Sequence, residues 1–434
     1  MTSDIRPTIL KPVEGIQKAV LTVNIFFTIF IKYTKLLLRG RLSFGLYLRF
    51  IKRLLIFYFR LLHNRWIKVN DVYKLQLYLP GFPSRAFFQA IEKFLREDDP
   101  MPITVVYSIT KACRFKCPHC YQRLDKGKDM PLEQLITMAR EMQDIGVAMM
   151  DIEGGEPLLK FDRLIELVRA IDERTEVWVN TNGFGLTEDM ARQMKEAGVF
   201  GVMVSVHNSD PELFDTFTGV EGSHEMAVRA MKLFNRVGIT TAINCCVSEK
   251  LATTGGVENI MEIARDCGCS FVQMIHEKSA GNWVKRDGQF TGILIDKLRE
   301  YHVLYNSDSR YRDYPSLSAQ VFEESQEVFG CTAGGIDRFY VGHTGEVQPC
   351  EFLNVSFGNL QEEGFIPVFR RMQKYFRTPG LNWLCCTECQ TIANEAEAMK
   401  KPIFPLPREI TEKLVEKWDK GEETPLYKSF GLYE

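Results

Sequence analysis

The sequence predicts an α/β fold built on a parallel sheet. Between residues 103 and 277, short β-rich runs alternate with amphipathic helical stretches, and polar motifs follow the β-rich runs. Alternation of this kind favours parallel strands joined by right-handed helical crossovers. A basic, apolar segment precedes this region, and a second group of cysteines follows it. The chain of 434 residues therefore has room for two or three domains.

The composition is typical of a globular protein with metal-binding cysteines. Apolar residues make up 45% of the chain and charged residues 25%, so a large buried core is expected. Twelve cysteines are too few for a disulfide scaffold in a chain of this length, and they are grouped in motifs. This grouping favours metal binding in a reducing compartment.

The N-terminal segment is both basic and apolar. Residues 15–68 contain eleven Lys or Arg and no Asp or Glu, and basic residues interrupt leucine and aromatic clusters. This pattern is typical of helices that lie in a membrane interface near anionic headgroups, and its apolar density argues against nucleic acid. The uncharged run 19–31 is too short to span a bilayer comfortably. A spanning helix, a cleaved signal, a presequence and a hairpin packed on the protein core are the alternatives.

Six strands and five helices are predicted between residues 103 and 277. The strands are expected at 103–109, 147–152, 176–180, 201–206, 239–247 and 270–275. The helices are expected at 131–145, 161–171, 187–197, 225–237 and 257–267. Parallel barrels carry their active sites at the carboxyl ends of the strands. The residues that follow each strand are therefore the candidate site.

Three cysteines directly follow the first strand. Cys113, Cys117 and Cys120 have the spacing C-x3-C-x2-C. Thiolates clustered this tightly suit a soft metal centre, most often an iron–sulfur cluster. Three thiolates leave one iron of a four-iron cluster open for a ligand that is not protein. A structural zinc loop and reduced core cysteines are the alternatives, although zinc sites usually pair two such halves.

Further polar motifs follow the next strands. Glu153-Gly154-Gly155-Glu156-Pro157 follows the second strand, Asn180-Thr181-Asn182-Gly183 ends the third, and Ser205 lies near the end of the fourth. The glycines would let the backbone approach a ligand closely, because glycine has no Cβ. Cys245 and Cys246 are neighbours on the fifth strand, so one of them should face into the barrel. A buried thiol that acts as a small hydrophobe is the alternative role.

With these motifs at these spacings, the sequence resembles the radical SAM superfamily. The resemblance implies a partial (β/α)6 barrel in which Cys113, Cys117 and Cys120 hold a [4Fe-4S] cluster. The open iron of that cluster would bind S-adenosylmethionine, and reductive cleavage would yield a 5′-deoxyadenosyl radical that abstracts hydrogen from substrate. The cofactor-binding residues that it implies are Gly154, Gly155, Glu156 (at the methionine amino group), Asn180, Asn182 and Ser205.

One position departs from the family pattern. Many relatives carry an arginine for the cofactor carboxylate after the fourth strand, where this chain has Thr218. His207, Asn208 or a different arginine is expected to replace it. His276 and Glu277 follow the sixth strand and are candidates to line the active site, with a plain loop role as the equal alternative.

The C-terminal cysteines resemble an auxiliary cluster domain. His343-Thr344-Gly345 predicts a β-hairpin turn inside the pattern Cys331-x13-Gly345-x4-Cys350, which resembles the opening of SPASM and twitch domains. The resemblance implies one auxiliary [4Fe-4S] cluster, because no cysteine follows Cys389 to build a second. The implied ligands are Cys331, Cys350, Cys389 and either Cys386 or Cys385, with the usual C-x2-C spacing in favour of Cys386. A zinc ribbon of the same cysteines is the alternative.

The chain is thus divided into five predicted parts. They are a membrane-associated helical segment at 1–98, the radical SAM barrel at 99–280, a helical connector at 281–330, the twitch-like cluster domain at 331–395 and a tail at 396–434.

Three functions fit these features. The first is a radical SAM enzyme of oxidoreductase or transferase type that abstracts hydrogen from a lipid or other membrane-resident molecule, with C–C bond formation or oxidation as the outcome. The second is the same chemistry on a ribosomally made peptide or protein. The third is a non-catalytic iron–sulfur electron-transfer protein. We expect a reductant such as flavodoxin or ferredoxin, an anionic membrane surface docked through residues 15–68, no nucleic acid, and a cytoplasmic location on the inner face of the membrane.

Overall fold

The computed structural model describes residues 11–62, 64–97, 100–283, 291–399 and 403–432, and its N-terminal region is a helical hairpin followed by a small sheet. The elements are β1 (Lys11–Val13), α1 (Gly15–Leu38), α2 (Phe44–Arg60), β2 (Trp66–Val69), β3 (Val72–Lys74) and α3 (Arg85–Ile91). Buried residues of α1 recur at every fourth position from Leu21 to Tyr33, as expected of a helix with one face on a core. Within the described ranges, α1 is the one helix long and apolar enough to cross a membrane by length and composition.

All six predicted parallel strands are present, and we call them and their helices the barrel. The strands are β4 (Thr104–Ser108), β5 (Met149–Glu153), β6 (Glu176–Thr181), β7 (Gly201–Ser205), β8 (Thr240–Val247) and β9 (Phe271–His276). Each pairs in parallel with the next. The helices are α4 (Leu132–Ile145), α5 (Phe161–Ala170), α6 (Glu188–Ala197), α7 (Pro211–Thr218), α8 (Ser223–Arg236), α9 (Glu249–Thr253) and α10 (Gly256–Asp266). The predicted α/β fold with a parallel sheet is confirmed.

The C-terminal part extends the same sheet at both ends. Its elements are α11 (Gly292–Ser307), β10 (Ser316–Ala319), α12 (Gln320–Glu323), β11 (Arg338–Val341), β12 (Val347–Gln348), α13 (Leu360–Glu363), α14 (Phe365–Gln373), α15 (Leu384–Thr387), α16 (Cys389–Ala398), α17 (Arg408–Val415) and α18 (Pro425–Phe430). β10 pairs in parallel with β9, and β11 pairs in parallel with β4. β11 and β12 pair antiparallel, which confirms the predicted hairpin. The predicted cluster domain, residues 331–395 (the cluster region), therefore shares one sheet with the barrel.

The region 281–330 is more than the predicted helical connector, because it contributes β10 to the sheet. The sequence of β10, SLSA, has no apolar run that would predict a strand. All four of its residues are nevertheless buried. Packing against the edge strand β9 and against α11 decides this element, since strand formation depends strongly on tertiary neighbours.

The small N-terminal sheet closes the amino end of the barrel. Its apolar side chains pack with the first inward-facing residues of the barrel strands in one buried cluster: Ile67, Val69, Leu77, Met149, Trp178, Met203, Ala242 and Phe271. Lys74 is buried and forms an ion pair with Glu176, whose carboxylate also accepts from Gly81 N at 2.9 Å. The predicted helical segment at 1–98 thus includes a part that completes the barrel core.

Candidate active site

A cavity of about 230 Å³ opens at the carboxyl ends of the barrel strands. All three cysteines of the loop after β4 line it. Of the predicted cofactor-binding residues, five also line it: Gly154, Gly155, Asn180, Asn182 and Ser205. Residues that sequence reasoning did not single out complete the wall, among them Lys111, Arg123, Asn244, Lys278 and Phe352.

The three thiols of the loop lie close enough to act on one another. Burial, followed by the nearby thiols of Cys120 and Cys113, raises the pKa of Cys117 to about 12. Burial also raises the pKa of Cys120 to about 11, with Cys113 adding to the effect. Three thiolates at this place therefore need cations beside them, as the irons of a cluster would provide. The loop fits a [4Fe-4S] cluster.

The glycines after β5 are required by the packing of two loops. Gly155 N donates to Thr110 O, and Glu156 N donates to Ala112 O, both at 2.7 Å. A Cβ on Gly154 would lie 2.3 Å from Thr110 O, and one on Gly155 would lie 2.4 Å from Ala112 O. The predicted reason, close approach to a ligand, is therefore incomplete. These glycines first let the backbone after β5 lie against the cysteine loop.

The contact of Glu156 with the cofactor stays a prediction, and in this structure the Glu156 side chain connects two strand ends. Its side chain is buried and does not contribute to the cavity wall. The carboxylate accepts from Asn182 N at 2.7 Å, from Thr181 Oγ1 at 2.7 Å and from Leu158 N at 3.0 Å. Glu156 thus ties the end of β5 to the end of β6 and positions Asn182, which itself lies in the wall. Burial raises the pKa of Glu156 to about 7, although these hydrogen bonds oppose the shift.

Two buried acids lie next to each other at the end of β5, and Glu153 of the two lines the cavity. Asn180 Nδ2 donates to Asp151 Oδ2 at 3.1 Å and to Glu153 Oε2 at 3.3 Å. The Tyr121 hydroxyl donates to the other oxygen of Glu153. Burial, followed by the charge of Glu351, raises the pKa of both Asp151 and Glu153 well above the ordinary range. The amide nitrogen of Asn180 is therefore engaged in hydrogen bonds to these two acids.

The structure also locates the residues around the missing family arginine. Thr218 is buried, and its hydroxyl donates to Asp215 O at 3.1 Å. His207 lines the cavity, where its Nδ1 accepts from Cys246 N at 3.1 Å. Arg123 also lines the cavity and lowers the pKa of Cys113 against the stronger effect of burial. Arg123 is therefore the arginine that lies in the wall beside the cysteine loop.

The two neighbouring cysteines of β8 face opposite ways, as predicted. Cys245 is fully buried in the core between sheet and helices, whereas Cys246 lines the cavity. Period-two alternation along a strand explains this result. His276, the last residue of β9, lines the cavity as well, although it is in register with Val247 and not with Cys246.

Comparison with known proteins identifies one domain. Residues 107–250 match the profile of the Radical SAM superfamily. The chain contains a radical SAM domain. The protein is an enzyme, and it uses a [4Fe-4S] cluster and S-adenosylmethionine, in agreement with the cysteine loop and the cavity beside it.

Similar proteins include enzymes of cofactor and peptide biosynthesis. The AdoMet-dependent heme synthase of Oleidesulfovibrio alaskensis is 24% identical over 323 residues, which cover 68% of this chain and 82% of that protein. The PqqA peptide cyclase of Granulibacter bethesdensis is 23% identical, with 66% and 79% covered. Streptococcus suis SuiB, solved with its precursor peptide SuiA, superimposes with a TM-score of 0.52 at 18% identity and covers 70% of this chain and 74% of that one. The last similarity establishes the fold.

The C-terminal cysteines lie close to one another, near the end of β9. Cys385 Sγ lies 4.0 Å from Cys386 Sγ, and Cys389 Sγ lies 3.6 Å from the carbonyl oxygen of Cys386. The charge of Cys385 also acts on Cys331 and Cys350, although burial is the main reason that the pKa of each is raised. Five thiols thus gather around one place, more than the four that a cluster needs.

The structure does not single out Cys386 over Cys385 as the fourth ligand. Cys385 is the member whose charge reaches both Cys331 and Cys350, whereas Cys386 Sγ faces His276 Nε2 at 3.5 Å. Within the described residues, no three His, Cys, Asp or Glu side chains converge closely enough to hold a single metal ion. The thiols of a four-iron cluster stand farther apart than those around a single ion, so the auxiliary cluster stays a prediction of the sequence.

The segment after β9 is the functional feature that the sequence analysis missed in part. Lys278 and Ser279 carry no motif, and the sequence alone gave no signal for them. Lys278 lines the active-site cavity and donates to Cys385 Sγ at 3.3 Å. Although burial lowers the pKa of Lys278, the negative charges of Cys385, Cys386 and Glu324 together raise the pKa overall. Lys278 therefore belongs to both cysteine sites.

Proposed function

We propose that this radical SAM enzyme acts at a membrane surface on a lipid or another membrane-resident molecule. The observation that carries the proposal is the exposed apolar face of the α1–α2 hairpin. The proposal includes one auxiliary cluster in the C-terminal region and a cytoplasmic location on the inner face of the membrane. A C–C bond formation or an oxidation would follow hydrogen abstraction.

Cys113, Cys117 and Cys120 are the proposed ligands of the cluster that binds S-adenosylmethionine. When bound there, the cluster would supply the electron for reductive cleavage of S-adenosylmethionine. The chain holds the reactants beside it. Proposed cofactor contacts come from wall residues at or just after the ends of β5, β6 and β7: Gly154, Gly155, Asn180, Asn182 and Ser205. Arg123 is proposed to bind the cofactor carboxylate in place of the family arginine.

The proposed auxiliary [4Fe-4S] cluster would be held by Cys331, Cys350, Cys389 and one of Cys385 and Cys386. Its place in the fold supports it, because β11 of the cluster region continues the barrel sheet beside β4. His276 and Lys278 lie between its thiols and the cavity. An iron–sulfur cluster separated from the cavity by these two side chains would be placed to exchange an electron with a substrate radical there.

The α1–α2 hairpin exposes an apolar face on the side away from the barrel. Exposed apolar residues recur along α1 in steps of three or four, from Ile16 to Ile31, and so share one side of the helix. Phe44, Leu48, Leu55 and Phe59 continue the surface on α2. Exposed cations, Lys35, Arg39, Arg41, Lys52 and Arg60, accompany these residues. Apolar side chains with cations around them match a helix pair that lies in an anionic interface.

Binding to vesicles tests the membrane part. The protein is expected to sediment with phosphatidylglycerol vesicles and much less with phosphatidylcholine vesicles, because the hairpin has no acidic residue. The double variant Phe27→Asp, Leu48→Asp should lose this binding. Ile293→Asp, on an equally exposed apolar residue of α11, is the matched control and should keep it. Equal sedimentation of all three proteins would refute the membrane face.

Product analysis tests the substrate part. After anaerobic reconstitution and reduction, 5′-deoxyadenosine is measured with and without a lipid extract, and again with deuterated lipid. Lipid-dependent cleavage with deuterium in 5′-deoxyadenosine is the expected result. Cleavage that lipid leaves unchanged would overturn the lipid assignment while leaving the radical chemistry in place.

A peptide or protein substrate is the second candidate. The similarity to a PqqA peptide cyclase and to SuiB, which was solved with a precursor peptide, favours it. The same assay distinguishes the two, since a peptide substrate would accept the radical without lipid. The probe is a deuterated peptide encoded next to the gene for this chain. Transfer of deuterium from it to 5′-deoxyadenosine would establish this candidate.

A further inference from the structure

The segment from His276 to Ser279 contacts the C-terminal cysteines one after another. Three of its side chains each touch one of them: His276 Nε2 lies 3.5 Å from Cys386 Sγ, Lys278 Nζ lies 3.3 Å from Cys385 Sγ, and Ser279 hydrogen-bonds to Cys389. This segment leaves the end of β9, so its backbone is anchored by the sheet. The three contacts are therefore set by the fold.

The same segment is part of the active-site wall. His276 and Lys278 line the cavity that also contains the cysteine loop, and both are buried, with 2% and 7% of their surface exposed. Lys278 Nζ lies 3.0 Å from His276 Nε2 and 5.4 Å from the centre of the Phe352 ring, another wall residue. A single layer of side chains thus separates a substrate in the cavity from the thiols of Cys385 and Cys386.

Lys278 brings a positive charge to this layer. A buried ammonium needs compensating negative charge, and the groups that face it are the thiols of Cys385 and Cys386 and the carboxylate of Glu324. Glu324 is already paired with Arg338 at 2.7 Å. The thiols are therefore the groups whose negative charge Lys278 compensates, and Lys278 Nζ contacts the Sγ of Cys385 directly.

We propose that Lys278 sets the reduction potential of the auxiliary cluster from the wall of the substrate cavity. This inference rests on the proposed auxiliary cluster. Reduction adds one negative charge to a cluster held by four thiolates. A cation in hydrogen-bond contact with a ligand sulfur stabilises the reduced state more than the oxidised state, so it raises the potential. Lys278 is a positioning residue in this role, and the segment makes the cluster a better electron acceptor for the cavity.

Redox titration tests the proposal on a chain in which Cys113, Cys117 and Cys120 are replaced by Ala, so that only the auxiliary cluster remains. The reduced signal is followed by electron paramagnetic resonance. Lys278→Met and Lys278→Gln are expected to lower the potential, and Lys278→Arg to leave it near that of the parent. Lys297→Met, which removes an exposed lysine of α11, is the control and should cause no shift.

The possible outcomes separate the two proposals. Failure of the parent to assemble a cluster would overturn the auxiliary cluster itself. A cluster with full iron content but an unshifted potential in both neutral variants would overturn the role of Lys278, as would an equal shift in Lys297→Met. The unsubstituted protein gives an independent check with lysine labelled at Nζ with ¹⁵N. Electron–nuclear double resonance of the reduced auxiliary cluster should detect a lysine nitrogen, and its absence would contradict the contact.

Discussion

The two cysteine groups of this enzyme are built in opposite ways. Cys113, Cys117 and Cys120 lie on one loop of eight residues, and the backbone just before it accepts hydrogen bonds from Gly155 N and Glu156 N. The second group draws its thiols from places that are far apart in the chain, between Cys331 and Cys389. Side chains of the segment after β9 touch that group. The first site depends on local geometry and the second on tertiary contacts.

In the proposed function, this difference would separate the generation of the radical at the first site from electron transfer at the second. The local site needs only the cysteine loop and the glycine turn that packs on it. Lys278 and His276 line the cavity and also contact thiols of the second group. Substitutions in this part of the barrel wall should therefore act directly on the second site. Variants at the two sites should therefore fail in different ways.

Loss of one cysteine from each group is the strongest test of the contrast. Cys120→Ser is expected to reduce 5′-deoxyadenosine formation to the assay background and to remove about half of the bound iron, because the cofactor-binding cluster is lost. Cys350→Ser should lose a similar share of iron but still cleave S-adenosylmethionine. Iron analysis and 5′-deoxyadenosine assays measure both effects. Loss of cofactor cleavage in Cys350→Ser as well would show that the two sites are not separable.

Crowding the glycine turn should damage the local site next. Gly155→Ala places a Cβ 2.4 Å from Ala112 O, so one of the two loops has to move. We expect a cost of about 1–3 kcal/mol in the free energy of unfolding, together with weaker cluster binding. Thermal unfolding and iron content measure these effects. Gly292→Ala, with no atom within 4 Å of the added Cβ, is the control, and a comparable loss there would contradict the explanation.

The pH dependence of stability tests one buried carboxyl beside the local site. Burial raises the pKa of Glu156 from 4.5 to about 7 in the folded chain. The folded state therefore binds more protons than the unfolded state between these values, and stability decreases as the pH rises through that window. Glu156→Gln removes the dependence, so its stability relative to the natural protein should rise by about 3 kcal/mol across the window. Denaturant unfolding at several pH values measures it, with the exposed Glu196→Gln as control; parallel curves for all three proteins would contradict it.

The sequence by itself determined the barrel and the local site. The six strands were predictable because β-rich runs alternate with amphipathic helices, and each predicted strand is present within a few residues. The cysteine spacing and the motifs at strand ends predicted one cavity, since the carboxyl ends of parallel strands meet at one edge. Ser205 and Asn182 lie in that cavity as predicted.

Only the tertiary structure decided the rest. Glu156 turns away from the cavity because three donors from β6 and its own loop hold its carboxylate, and no local pattern encodes those partners. β10 becomes a strand only beside β9. Lys278 meets Cys385 across more than a hundred residues of chain. Local spacing fixes what neighbouring residues can bind, whereas contacts between distant segments depend on how the whole core packs.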